Sequence, residues 1–173
     1  MEYRQGVLAD AERIALLHAD SWRRTYRGMM RDAFLDDEVV ENRRSVWNER
    51  LAAPAKNQFV VVAEEQEEIC GFACLFGDDD PVWGSLLDNI HVRLKGKSRG
   101  VGRRLMREAA TWSQEHYPGR GMYLWVMEAN LDAQRFYDRL GGSNRETREA
   151  ENPDFGKANV LRYAWSDLSP LLA

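Results

Sequence analysis

The stretch from Leu86 to Glu108 narrows the folds open to this chain most sharply. It reads as a strand, a basic turn containing glycine, and the start of a helix. Ile90 and Val92 alternate with His91, as a strand with two different faces requires. From Val101 on, apolar residues fall at Val101, Leu105, Ala109 and Trp112, which is helical spacing. Gly100 and Gly102 between the two elements permit positive φ and close backbone approach. The first amides of a helix have no internal partner, and the helix dipole adds positive character there, so this arrangement suits an anion. Charge points the same way. Residues 93–107 hold seven basic groups and no acid, while the whole chain has 24 basic and 28 acidic residues. Outside that island, 17 basic residues stand against 28 acidic ones.

Three motifs compete for the turn. Gly96-Lys97-Ser98 looks like the end of a P-loop, but the glycine that motif needs five residues before Gly96 is His91 here. A dinucleotide fingerprint fails because Ser98 stands where its first glycine belongs. The third reading fits. Val92, Lys97, Gly100 and Gly102, at their spacing, resemble the acyl-CoA pyrophosphate loop of the GNAT-superfamily N-acetyltransferases. That family usually has Arg or Gln at the position of Lys97 and often Pro at that of Leu94. Lys keeps the cation and loses the planar fork of Arg.

A second stretch resembles the same family. The apolar run Tyr123 to Val126 precedes Asn130, a good N-cap, and then Ala133, Phe136, Tyr137 and Leu140 form one apolar stripe closed by Gly141. The family's second signature has this strand, Asn, Phe-Tyr helix and Leu-Gly, usually followed by Phe where this chain has Gly142. The two signatures stand in the family's order and at its usual separation.

Composition sets the outer bounds. The 173 residues suit one domain spanning 1–173, and 44% hydrophobic content with six Trp suits a packed core. No apolar run is long enough to span a membrane, and the polar N-terminus is unlike a signal peptide, so a cytoplasmic protein is expected. Cys70 and Cys74 share one predicted strand, about 13 Å apart. That is too far for a disulfide, which suits a reducing compartment. The three His show no metal-ligand spacing, so no metal is expected.

In chain order, the pattern predicts a strand over 2–7, a helix capped by Asp10 with Ile14, Leu17 and Trp22 inward, and a stop near Gly28. A helix over 36–51 follows, with Val39, Val40, Val46 and Trp47 inward and Pro54 beyond it. Strands are predicted at 59–64 and 69–76, then a loop over 77–81, the central strand and helix, a break at Pro118-Gly119 and a strand over 122–127. The Asn130 helix and strands over 141–148 and 160–165, joined by a loop over 149–158, complete the chain. This is a mixed α/β arrangement. The resemblance implies the GNAT fold: a mostly antiparallel central sheet flanked by helices, its central strands splayed at the cofactor site.

The resemblance also implies the chemistry. Acetyl-CoA would acetylate a primary amine of a small molecule or peptide by direct attack in a ternary complex. Ile90, His91 and Val92 would hold the pantetheine arm through backbone groups. Lys97, Ser98, Arg99, Gly100, Val101, Gly102 and Arg103 would hold the pyrophosphate, with Asn130 and Phe136 beside the arm. Tyr137 would protonate the departing thiolate; helical spacing alone reads it rather as a core aromatic on the stripe with Phe136. The acceptor's proton would go to Asp88, His91 or water. Trp22, Tyr26 and Trp47 could wall the acceptor, and Glu151 and Asp154 could attract an ammonium group. The acidic remainder of the chain favours a cationic acceptor. The resemblance implies a monomer or homodimer. A non-catalytic acyl-CoA-binding module of the same fold is the alternative. The basic island lacks interleaved aromatics, so nucleic acid is not an expected partner.

Overall fold

The computed structural model describes residues 1–93, 100–152 and 156–173. Seven strands form one sheet: β1 (Glu2–Gln5), β2 (Gln58–Glu65), β3 (Glu68–Asp80), β4 (Gly84–Val92), β5 (Met122–Met127), β6 (Ser143–Asn152) and β7 (Gly156–Trp165). Their spatial order is β1-β2-β3-β4-β5-β7-β6. Every neighbouring pair is antiparallel except β4 with β5.

The helices α1 (Ala11–Thr25), α2 (Val39–Ala52), α3 (Val101–His116), α4 (Leu131–Arg139) and α5 (Ser169–Leu172) fill the connections. One core layer joins α3 to the sheet through Leu105, Met106, Ala109, Leu75, Leu87 and Leu124. On the opposite face α1 and α2 pack Ile14, Leu17 and Trp47 onto Val60, Val62 and Phe72. A third cluster gathers Phe34, Leu35 and Val39 against Met127, at the end of β5. Most residues of the stripes predicted from spacing are buried, while Trp22, Val40, Val46, Trp112, Ala133 and Phe136 are half-buried.

Several boundaries differ from the sequence pattern. The predicted loop over 77–81 is largely strand: β3 runs to Asp80, which pairs with Gly84 across a turn at 81–83. The predicted loop over 149–158 is mostly a hairpin, with β6 and β7 paired out to Asn152 and Gly156. Asp10 stands at the α1 N-cap position, but its carboxylate accepts the N–H of Val7 and makes no cap bond. A π-helical turn over Phe34–Glu38 leads into α2, and α5 adds a helix that the pattern did not contain.

Candidate functional site

The two central strands part company. β4 and β5 pair only at Ser85 with Met122 and at Leu86 with Tyr123. Beyond that point β4 stays with β3 as far as Val92, and β5 stays with β7 as far as Met127. A bulge explains the divergence. Asn89 faces Cys74 and Leu87 faces Leu75, so Asp88 is an extra residue on β4. Such an insertion bends its strand and tightens the twist. The result is a cleft between Asp88–Val92 and residues 124–127, with backbone edges turned toward it. The bulge also sets Asp88 and Asn89 side by side, so one Nη of Arg50 reaches both, at 2.6 and 3.0 Å.

The start of α3 lies at this cleft. Gly100 takes φ +75° and serves as N-cap, a conformation that favours glycine. The first intrahelical bond is from Arg104 N–H to the Gly100 carbonyl, at 3.0 Å. The amides of Val101, Gly102 and Arg103 therefore have no partner within the helix. A Cβ at Gly102 would lie 3.3 Å from the Phe136 ring and 3.7 Å from Val92. Glycine thus lets the first turn of α3 sit close to α4 and β4. Lys97, Ser98 and Arg99 lie outside the described residues, as does Asp154.

At the end of β5, Asn130 caps α4 by accepting the Ala133 N–H at 3.2 Å. Tyr137, about two turns further, is 7% exposed and packs against Phe136, Tyr163 and Trp165. Burial, and then the neighbouring Tyr26, push its phenol well above the ordinary value. Tyr26 is half-buried just beyond α1. Burial raises its phenol, and a hydrogen bond with the Asn130 side chain acts in the opposite direction. Three residues assigned to separate roles by sequence, Tyr26, Asn130 and Tyr137, thus converge on one end of the cleft. Ile90 is half-buried, Val92 is buried, and both pack into the α3 layer.

On the α1 side of the sheet, the half-buried His91 bonds Ser21 Oγ through Nδ1, at 2.9 Å. Its ring lies 4.3 Å from that of His18. Of the two carboxylate and imidazole candidates on β4, Asp88 is held in the ion pair with Arg50, and His91 faces α1. Trp22 is half-buried, edge-on to Tyr26, with Arg43 4.3 Å over its face. Glu151 is exposed on β6 opposite Lys157. Trp47 cannot wall a ligand, because it is wholly buried and its indole N–H bonds His18. His18, Ser21, Arg50 and Asn89 were missed as site residues. His18 had a signal: it interrupts the Ile14–Trp22 stripe with a titratable group.

A cavity of about 410 Å³, lined by residues including Trp83, Arg120, Arg145 and Trp165, sits at the other end of β5 from the cleft. Among the described residues, no group of three or more His, Cys, Asp or Glu could hold a metal, and no helix is long and apolar enough to cross a membrane.

Comparison with known proteins bears on this geometry. The model of the acetyltransferase (GNAT) family matches residues 19–142. An uncharacterized N-acetyltransferase of Bacillus subtilis (strain 168), YuaI, is 27% identical over 176 residues, 97% of this chain and 94% of the relative. Among solved structures, the PaiA N-acetyltransferase of Thermoplasma acidophilum in complex with coenzyme A superposes with a TM-score of 0.77 at 16% identity. That match covers 95% of this chain and 98% of the other. A mutant of the spermidine N-acetyltransferase SpeG from Vibrio cholerae gives 0.67 at 18% identity, covering 95% and 92%.

Proposed function

The chain belongs to the acetyltransferase (GNAT) family, and from that premise we propose that it transfers the acetyl group of acetyl-CoA to a primary amine of a small molecule or peptide. One observation carries the reading: where β4 and β5 diverge, the first turn of α3, whose amides have no partner within the helix, stands on the β4 side of the cleft and Asn130 with Tyr137 on the β5 side.

The residues present fit acetyl-CoA. Backbone groups of Ile90, His91 and Val92 would pair with its pantetheine arm, as an added strand would. The amides of Gly100, Val101, Gly102 and Arg103, with the side chains of Lys97, Ser98 and Arg99, would hold its pyrophosphate. Phe136 closes the space beside Gly102. Bound there, acetyl-CoA supplies an activated thioester carbonyl for attack by the amine.

The chain's own groups then manage two protons. We assign His91 to receive the acceptor's proton, because Asp88 is engaged by Arg50 and His91 faces the α1 side. Tyr137 keeps its proton at any working pH, since burial raises its phenol, and gives it to the departing thiolate. Acceptor contacts fall to Trp22 and Tyr26 at the end of α1 and to Glu151 on β6. The spermidine in the name of a structural neighbour makes that polyamine a sensible first acceptor.

The test is thiol release from acetyl-CoA with spermidine and with a peptide bearing an N-terminal alanine. Tyr137→Phe should lower kcat by about a hundredfold and leave CoA affinity unchanged. Wild-type protein that binds acetyl-CoA but releases thiol with no amine would instead favour a binding module.

A further inference from the structure

We propose that His18 is a positioning residue for acetyl transfer: its ring, held by Trp47, is the platform that orients His91 as the base. The proposal rests on the assignment of His91 made above. His18 lies on α1 and is completely buried. Ser21, three residues on, shares its helix face. Both meet the β4 residue His91, the first by ring contact and the second through its hydroxyl.

The chemistry of the neighbours fixes the His18 proton. An indole N–H can only donate. Trp47 Nε1 lies 3.0 Å from His18 Nδ1, so that nitrogen must be the acceptor, and the proton of the neutral ring sits on Nε2. Nε2 has no hydrogen-bond partner among the described residues. A second proton would have to displace the Trp47 bond and put a charge in a dry pocket. Burial, then His91, Arg43 and Arg50, all oppose that charge. His18 therefore remains neutral throughout the folded range.

A neutral ring is what His91 needs below it. The two rings are 4.3 Å apart and tilted by 35°. Phe72, in register with His91 on β3, lies 5.5 Å away, and Ser21 holds Nδ1. When the amine N–H bond breaks and its proton joins His91, the imidazolium lies against a neutral aromatic face, a favourable arrangement. A charged His18 would repel it. The other charges near this pair are Arg43 and Arg50 on α2 and Asp88 on β4, which is ion-paired to Arg50. The chain thus uses two adjacent imidazoles for opposite tasks, one locked neutral and one that takes the acceptor's proton.

Two substitutions separate a platform from a plain structural part. His18→Asn keeps an acceptor for Trp47 but removes the ring. His18→Phe keeps the ring but orphans the indole N–H. We expect His18→Asn to lose kcat about tenfold or more through misplacement of the base, with acetyl-CoA affinity retained. His18→Phe should melt at lower temperature and yet keep kcat and its pH profile closer to wild type. In the double variant with His91→Gln, His18→Asn should cost nothing further, because it acts only through His91. These rates use whichever of spermidine or the alanyl peptide turns over.

Activity that follows melting temperature in both single variants, or losses that add in the double variant, would overturn the proposal. His91→Gln turning over at the wild-type rate overturns the base assignment and the platform with it. Imidazole 15N spectra of the free protein give a decision without turnover. They should show His18 fixed as the Nε2–H tautomer while His91 titrates, with the His91 titration moved by His18→Asn and not by His18→Phe. A His18 that titrates alongside His91 also overturns it. Failure of wild type to acetylate any amine sinks the acetyltransferase reading and the base role of His91, while the spectra still decide whether His18 is locked and orients His91.

Discussion

Asp10 shows how a single side chain can hold two elements and tie stability to pH. Its carboxylate accepts from Arg4 at 2.8 and 2.9 Å, from Arg13 at 2.5 Å and from the Val7 N–H at 2.9 Å. Arg4 lies on β1 and Arg13 on α1, and both also reach Glu64 on β2. Burial acts to raise the carboxyl, but the bonds from Arg4, Val7 and Arg13 outweigh it and bring it down from 3.8 to about 2. A folded value below the unfolded one stabilises the protein above pH ~4, and that stability is lost as pH falls toward 2. The difference corresponds to about 2 kcal/mol at neutral pH. Asp10→Asn should lose stability of that order at pH 7 and flatten the stability curve between pH ~4 and ~2, as read by urea melts across that range. The sequence placed Asp10 at the start of α1 but made it a helix cap. Its real partners are Arg4 and Arg13, and nothing in local spacing marks an ion network shared with Glu64 on a second strand. His18 escaped notice for a related reason. Its meaning depends on Trp47, 29 residues away, and on His91, and only packing brings those together.

At the level of elements, α3 shows where spacing suffices and where it does not. The helical period from Val101 to Trp112 and the strand over 122–127 were legible because each buries one face against a continuous core. The long hairpins were not. Gly77 to Asp80 and Glu149 to Asn152 are polar, and their extended form depends on the partner strands, through Asp80 opposite Gly84 on β4 and through the β7 pairing of 149–152. The bulge at Asp88 was likewise invisible, since it is a count of residues against a partner strand. Gly102 offers a test of α3 itself. Gly102 has no positive φ to hold and lies in the first helical turn, so Gly102→Ala should fold, with Phe136 yielding slightly to the added methyl. That methyl would lie 3.3 Å from Phe136 and narrow the space in front of the first-turn amides. We expect acetyl-CoA to bind about tenfold more weakly, or roughly 1.4 kcal/mol, measured by calorimetry. Unchanged affinity would remove the first turn of α3 from the cofactor site.

For the whole molecule, the sheet is continuous everywhere except the place where its function is proposed. β1 through β4 form one antiparallel block, β5, β7 and β6 form another, and a short parallel contact at Ser85 and Leu86 joins them. Other elements pack about the divergence: α3 lies on one face, and the third cluster seats Met127, at the open end of β5, among Phe34, Leu35 and Val39. An unpaired backbone edge in a sheet is costly when buried and is normally paired or covered. Here the edge persists between two blocks that hold each other apart, which is the arrangement an inserted, strand-like ligand would complete. Hydrogen exchange can measure that directly. In the empty protein, amides of 89–92 and 124–127 that face the cleft should exchange faster than those of β2 and β3 paired on both sides, because exchange there needs only local access. Saturating acetyl-CoA should slow that cleft-facing set by an order of magnitude or more and leave β1–β2 pairing unaltered. With ligand at 100 times Kd the folded state gains about 2.7 kcal/mol. Slowing confined to the cleft therefore reports contact, whereas slowing spread evenly over the sheet reports only this overall gain. Even slowing would mean that acetyl-CoA does not bridge the two blocks, and the cleft would need another occupant.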